Sequence, residues 1–227
     1  MFTLGRGATW EERLFDKVFP AALSVLVVYE KLNRLAATLN APAGTRPEGM
    51  GLVAEVAHQL VSILVFALLV VLFTIRRTPL GQRSNLAGAI VALAGTTALG
   101  LFTVIPTPPS SDWRVLGLSA GLALVGILIT LWSLATLGRC FGLFPEARGL
   151  VTRGPYRIVR HPVYVGELIS GFGLLLPIVS VWTVLVFVAF VCLQLWRTRN
   201  EERALEAVFP EYAAYRARTA RIVPGIF

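Results

Sequence analysis

The residues best suited to chemistry lie in the run Gly154-Pro155-Tyr156-Arg157-Ile158-Val159-Arg160-His161-Pro162-Val163-Tyr164-Val165-Gly166. It holds two tyrosine hydroxyls, two arginines with Arg153 just before them, and one of the chain's 2 histidines. An apolar chain that gathers its polar groups into one segment marks that segment as functional. A second polar cluster, Arg197-Thr198-Arg199-Asn200-Glu201-Glu202-Arg203, lies near the C-terminus. Tyr156 and Tyr164 offer flat rings and hydroxyls, and His161 can give or take a proton near neutral pH. Arg197 and Glu201 are four residues apart, so on a helix they point to one side, while Glu202 points elsewhere, toward Arg199 or Arg203. Carboxylate, cations and aromatic faces together suit a cationic ligand with an amino-acid end.

These residues must be positioned by apolar helices. The chain has 227 residues, 56% of them hydrophobic and 15% charged, against about 25% charged in a soluble domain. The formal charge of +8 could suit nucleic acid. The arginines instead cluster at the ends of apolar segments, as membrane topology requires, so the partner expected is membrane lipid and no nucleic acid. Met1–Trp10 has no apolar core, and no cleavable signal is expected. Cys140 and Cys192 make no metal or redox spacing, and no metal is expected.

Apolar runs at Val18–Tyr29, Gly51–Ile75, about 85–105 and Trp113–Leu137 read as four spans. Pro162–Trp196 is too long for one ordinary span and carries Pro177 near its middle, so a short-armed helical hairpin is expected. From Arg197 onward the pattern is amphipathic, with Leu205, Val208, Phe209, Tyr212 and Tyr215 on one side, and predicts a helix lying at the interface or packed on the site. The fold class is therefore all-α and polytopic, with about five to six transmembrane helices plus the C-terminal helix. Residues 1–137 would form the scaffold and 138–227 the functional core. Arg76, Arg77 and Arg83, the Arg139–Arg160 stretch and the tail are basic, whereas Ala41–Pro47 and Pro106–Asp112 are nearly uncharged. Both termini and the two polar clusters would then face the cytoplasm.

The pattern Gly154-Pro155-Tyr156 then Arg160-His161-Pro162-Val163-Tyr164, Arg197 with Glu201-Glu202, and Phe209-Pro210-Glu211-Tyr212-x-x-Tyr215 resembles the isoprenylcysteine carboxyl methyltransferase family. More distantly it is similar to the phospholipid N-methyltransferases. The likeness covers Arg148 to Pro224. It implies a multi-span membrane enzyme using S-adenosylmethionine as methyl donor without a Rossmann domain. Carried over residue by residue, it implies that Gly149, Leu150, Val151, Tyr156, His161, Pro162, Tyr164 and Glu201 bind the donor. Glu201 would take its amino group, and Arg197, beside Glu201 in the catalytic pair, would face the acceptor. One departure is Arg148, where eukaryotic relatives have a histidine.

Simpler readings stand beside these. A lone His-Pro at a span boundary is often an interfacial cap, and only the joint spacing outweighs that. Arg199 reads as an anchor, Tyr212 and Tyr215 as packing or an aromatic belt, and Glu55 with His58 as a packing pair. Gly117-xxx-Gly121 and Gly171-Phe172-Gly173 read as sites of close helix approach. The acceptor expected is a lipophilic molecule or lipid, first of all a carboxylate. Transfer to an anion cancels charge, which a water-poor site favours, and a carboxylate needs no base. A thiol or a phospholipid amine on the same scaffold, or a membrane reductase of related fold, are the alternatives; a transporter is disfavoured because the polar groups do not line a path. Composition and basic flanks suggest a bacterial inner-membrane protein.

Overall fold

A computed structural model of the chain describes residues 18–42, 48–75, 77, 80, 94, 110, 112–142 and 145–225. All named elements are helical: α1 (Phe19–Asn40), α2 (Met50–Ile75), α3 (Trp113–Leu137), α4 (Pro162–Leu175), α5 (Val181–Glu206) and α6 (Tyr212–Arg218). The only extended pairing among the described residues is an isolated bridge between Val159 and Ala220. The span expected at about 85–105 lies outside the described residues, as do Arg76, Arg83 and the side chains of Glu55 and His58.

Local chemistry sets the boundaries. Asp112 caps α3 by accepting from the Arg114 amide at 2.8 Å. Pro162 opens α4, where its missing N–H costs nothing. Ser180 and Thr183 form a reciprocal capping box at the start of α5. The Leu176–Ile178 turn around Pro177 joins α4 to α5, so the hairpin is present. Its arms are not both short. α4 has 14 residues and α5 has 26, about 21 and 39 Å at about 1.5 Å per residue. The change from apolar to polar at Arg197 was read as a helix end, yet no Gly or Pro stands there and helix-favouring residues carry α5 on to Glu206. The expected interfacial helix is thus two pieces: the last turns of α5, then the short α6 beyond Pro210.

Among the described residues two helices are long and apolar enough to cross a membrane, Arg114–Cys140 and Val181–Glu206, with shorter apolar helices at Phe66–Ile75 and Pro162–Ile178. This is fewer than the five to six expected. Outward-facing Leu26, Leu64, Trp182 and Leu185 are exposed, as a lipid-facing surface requires and a water-facing one avoids.

The most extensive packing joins α3 and α4. A side chain at Gly126 or Gly166 would collide with the other's backbone, and one at Gly173 would meet Ala123 N and Ser119 O at 2.9 Å. Helices in lipid gain nothing from hydrophobic exclusion between them, so small residues that admit close van der Waals contact hold them together. Gly117 and Gly121, expected to do this, face open space; the contact face lies around Ser119, Ala123, Gly126 and Thr130 instead. Ala21, Leu72, Phe73, Leu134 and Phe141 form the core that joins α1 and α2 to α3.

Candidate active site

The two basic stretches meet at one end of the bundle. Arg77 N donates to Arg139 O at 2.9 Å, Arg139 Nε to Ile75 O at 3.2 Å, and Leu80 N to Ala147 O at 2.8 Å. Arg148, the departure from the family pattern, is buried; it donates to the Arg77 carbonyl and, at 2.6 Å, to Glu146. Its place in the fold is therefore to tie the linker after α3 to the end of α2. The linker then turns at Gly154, whose φ of 59° falls in the left-handed region that favours glycine. The Gly154–Arg157 3-10 turn buries Tyr156, whose carbonyl accepts from Tyr215 Oη at 2.7 Å.

The C-terminal segment straps the next residues. Arg160 N donates to Ala220 O at 2.8 Å and His161 N to Arg221 O at 3.1 Å, while the Arg160 side chain reaches the carbonyls of Arg216 and Thr219. Beneath this strap Glu202 joins three partners: Arg160 Nε at 2.9 Å, His161 Nε2 at 3.2 Å and Arg221 Nη2 at 2.7 Å. The expected orientation toward Arg199 or Arg203 is thus corrected. The helix turn that carries Glu202 faces the strap, which sequence spacing along one helix could not reveal.

Glu201, one residue earlier, faces the other way. It accepts from Tyr164 Oη, and His161 Nδ1 lies 3.6 Å from its carboxylate. Burial opposes charge on His161, but hydrogen bonds to Glu201 and Glu202 outweigh it and raise its pKa above the ordinary histidine value. Burial first, then the nearby Glu201, raise the Tyr156 hydroxyl well above its usual range, so it stays protonated. Arg197 lies 5.0 Å over the Tyr164 ring and donates to Gln194 Oε1 at 3.1 Å. Gln194 in turn donates to Glu167.

One cavity of about 470 Å³ collects these groups, within the range of about 300–1,000 Å³ common for small-molecule sites. Gly149, Leu150, Val151, Tyr156, His161, Tyr164, Arg197 and Glu201 all line it. Pro162 does not; it is buried at the first turn of α4, setting the direction of the helix that carries Tyr164. Tyr212 and Tyr215 are buried and packed edge to face, as expected, and also border the cavity. Burial pushes the Tyr215 hydroxyl up to about 12. Much of the remaining wall is apolar and includes Val27 of α1, Phe66 and Phe73 of α2, and Ile127 of α3, with Glu167 and Ser170 of α4 among its polar members. Sequence reasoning missed Glu167 and Gln194, although a carboxylate and an amide inside apolar helices are themselves a signal.

A carboxylate, a guanidinium, a histidine and tyrosines around one enclosed space, on helices that suit a membrane, are what a membrane group-transfer enzyme requires. Residues 114–212 match the model of the family described as phospholipid methyltransferase. The match takes in the residues from Gly154 to Tyr212 and also reaches back through α3. Over 122 residues the chain is 38% identical to the cobalt-zinc-cadmium resistance protein CzcN of Cupriavidus metallidurans, covering 51% of this chain and 55% of that protein. It is 33% identical over 122 residues to the nickel-cobalt-cadmium resistance protein NccN of Alcaligenes xylosoxydans xylosoxydans, covering 51% and 56%. The chain thus spans about half the length of these curated relatives.

Proposed function

We propose that the protein is an S-adenosylmethionine-dependent, multi-pass membrane methyltransferase acting on a lipophilic acceptor. The observation that carries this is the single cavity with two kinds of wall: polar from Gly149 to Glu201, apolar where α1, α2 and α3 contribute. When bound, the donor supplies a sulfonium methyl. Its ammonium would be held by Glu201, whose carboxylate is kept in place by Tyr164, and its flat heterocycle would lie against tyrosine faces. Residues 1–137 then provide scaffold and acceptor access, and 138–227 the donor site. The apolar walls suit an acceptor entering from the bilayer, and Arg197 would hold its polar end by charge.

A carboxylate acceptor has charge cancellation and the guanidinium of Arg197 as its first ground, and the want of a base in the site as its second. Glu167 in the cavity wall removes the second ground and leaves the first. Membrane methyl transfer is therefore the conclusion, with an acceptor that is anionic when it reacts.

Calorimetric titration of the purified protein with S-adenosylmethionine and, separately, with NADPH tests the reading. Binding of S-adenosylmethionine alone is expected; binding of NADPH alone would select the reductase.

A further inference from the structure

Glu167 lies one turn beyond Tyr164 on α4, half-buried and facing the same cavity. It accepts from Gln194, which accepts from Arg197, which covers the ring of Tyr164, which donates to Glu201. Two carboxylates thus end one continuous polar chain between α4 and α5. If Glu201 takes the donor's ammonium, Glu167 is left as a second carboxylate in a cavity wall to which α3 gives Ile127 and Thr130 and α4 gives Ser170. The titratable groups facing it among the described residues are Arg197 and Glu201 of α5 and Tyr164 of α4 itself. A carboxylate inside an apolar helix is costly, and where it persists it commonly serves proton transfer or ligand binding.

Resting on the methyl-transfer reading, we propose that Glu167 is the proton acceptor of the acceptor site, and that the acceptor is a lipophilic thiol held as its thiolate by Arg197. The S–H bond breaks and its proton passes to Glu167. The thiolate's electron pair forms the new S–C bond to the methyl, and the pair of the breaking C–S⁺ bond returns to the sulfonium sulfur. Products are a methyl thioether, a neutral donor thioether and protonated Glu167, which then releases its proton to water. A carboxylic acid arrives ionised, gives Glu167 nothing to accept and brings a second negative charge beside it. An amine would rebuild a cation on methylation, next to Arg197. A thiol of the cysteine type, with a usual pKa of about 8.5 against about 10.4 for an alkylamine, parts with its proton more readily and leaves an anion that Arg197 attracts.

The test uses the full chain in lipid nanodiscs, with labelled S-adenosylmethionine and N-acetylcysteine dodecyl ester (a cysteine-type thiol), dodecanoic acid or dodecylamine as acceptor. Glu167→Gln keeps the size of the side chain and a hydrogen bond to Gln194. Its affinity for S-adenosylmethionine should stay within about threefold of wild type by calorimetry. Its thiol transfer at pH 7 should fall about 100-fold or more and recover above about pH 9, where the thiol ionises unaided. Unchanged thiol transfer at pH 7, loss without alkaline recovery, or methylation of the acid or the amine with the thiol untouched would each overturn the proposal. The wild-type pH profile decides the matter without any variant: the rate must rise below the thiol's own pKa, and a rate that merely follows thiol ionisation overturns it. Wild type that binds S-adenosylmethionine but transfers to no thiol sinks this proposal alone, whereas wild type that does not bind it sinks the methyl-transfer reading as well.

Discussion

Glu201 and Glu202 are neighbours in sequence but face different surroundings. Glu202 is buried among Arg160, His161 and Arg221 and fastens the C-terminal strap to the turn before α4. Glu201 opens on the cavity and is held there by Tyr164. The two alanine variants should therefore fail in different ways. Glu202→Ala takes the carboxylate from between Arg160, Arg221 and the His161 ring, a change of the kind that typically costs about 3–5 kcal/mol when a buried pair is broken, and its melting temperature should drop markedly. Glu201→Ala should melt near wild type but bind S-adenosylmethionine roughly tenfold more weakly, as loss of a charged hydrogen bond implies. Calorimetry and thermal unfolding in detergent separate the two effects; equal melting temperatures with equal affinities would remove both assignments.

At the scale of elements, the site depends on how closely α3 and α4 approach. Tyr164 and Glu167 flank Gly166, and Gly166 meets Gly126 and Thr130 directly. A side chain at 166 must push the helices apart and move both cavity residues with them. Gly166→Val is expected to cost about 1–3 kcal/mol or more by overpacking and to weaken donor binding. Gly117→Val, on the same pair of helices but facing open space, should leave both unchanged. Thermal unfolding of the two variants checks this; a destabilised Gly117→Val beside a tolerated Gly166→Val would mean that the opposite face of α3 makes the contact.

For the whole molecule, the ends of the helices sort by charge. The end of α2 and the start of the linker after α3 are joined by the hydrogen bonds among Ile75, Arg77 and Arg139. At the other end of α3, Ser110 N donates to Pro177 O at 2.6 Å, which sets Ser110 against the hairpin turn. Among the described residues Arg77 and Arg139 thus meet at one end of α3 and Ser110 lies at the other, the arrangement the positive-inside rule asks for. Single cysteines at Gly81 and Gly44, in a background with Cys140 and Cys192 replaced, should be labelled from opposite sides of the membrane by an impermeant thiol reagent, with Gly81 on the cytoplasmic side. Labelling of both from the same side would end this topology.

Composition alone determined that the chain is helical and apolar, because helices satisfy their own backbone within lipid. Residue types and spacing also picked out residues that line the cavity: His161, Tyr164, Arg197 and Glu201 lie in two short segments, and helical periodicity places the last two on one side. Other features depend on which surfaces meet, and only the tertiary structure decided those. Glu202 turns to Arg221, and on α3 the close-packing glycine is Gly126, not Gly117 or Gly121, while Gly173 of α4 packs closely as its sequence context implied. Glu167 and Gln194 are 27 positions apart, and each alone reads as a stray polar residue in an apolar helix. Their pairing, and their link to Arg197, exist because the turn at Pro177 folds α5 back against α4, a long-range contact that no local periodicity encodes.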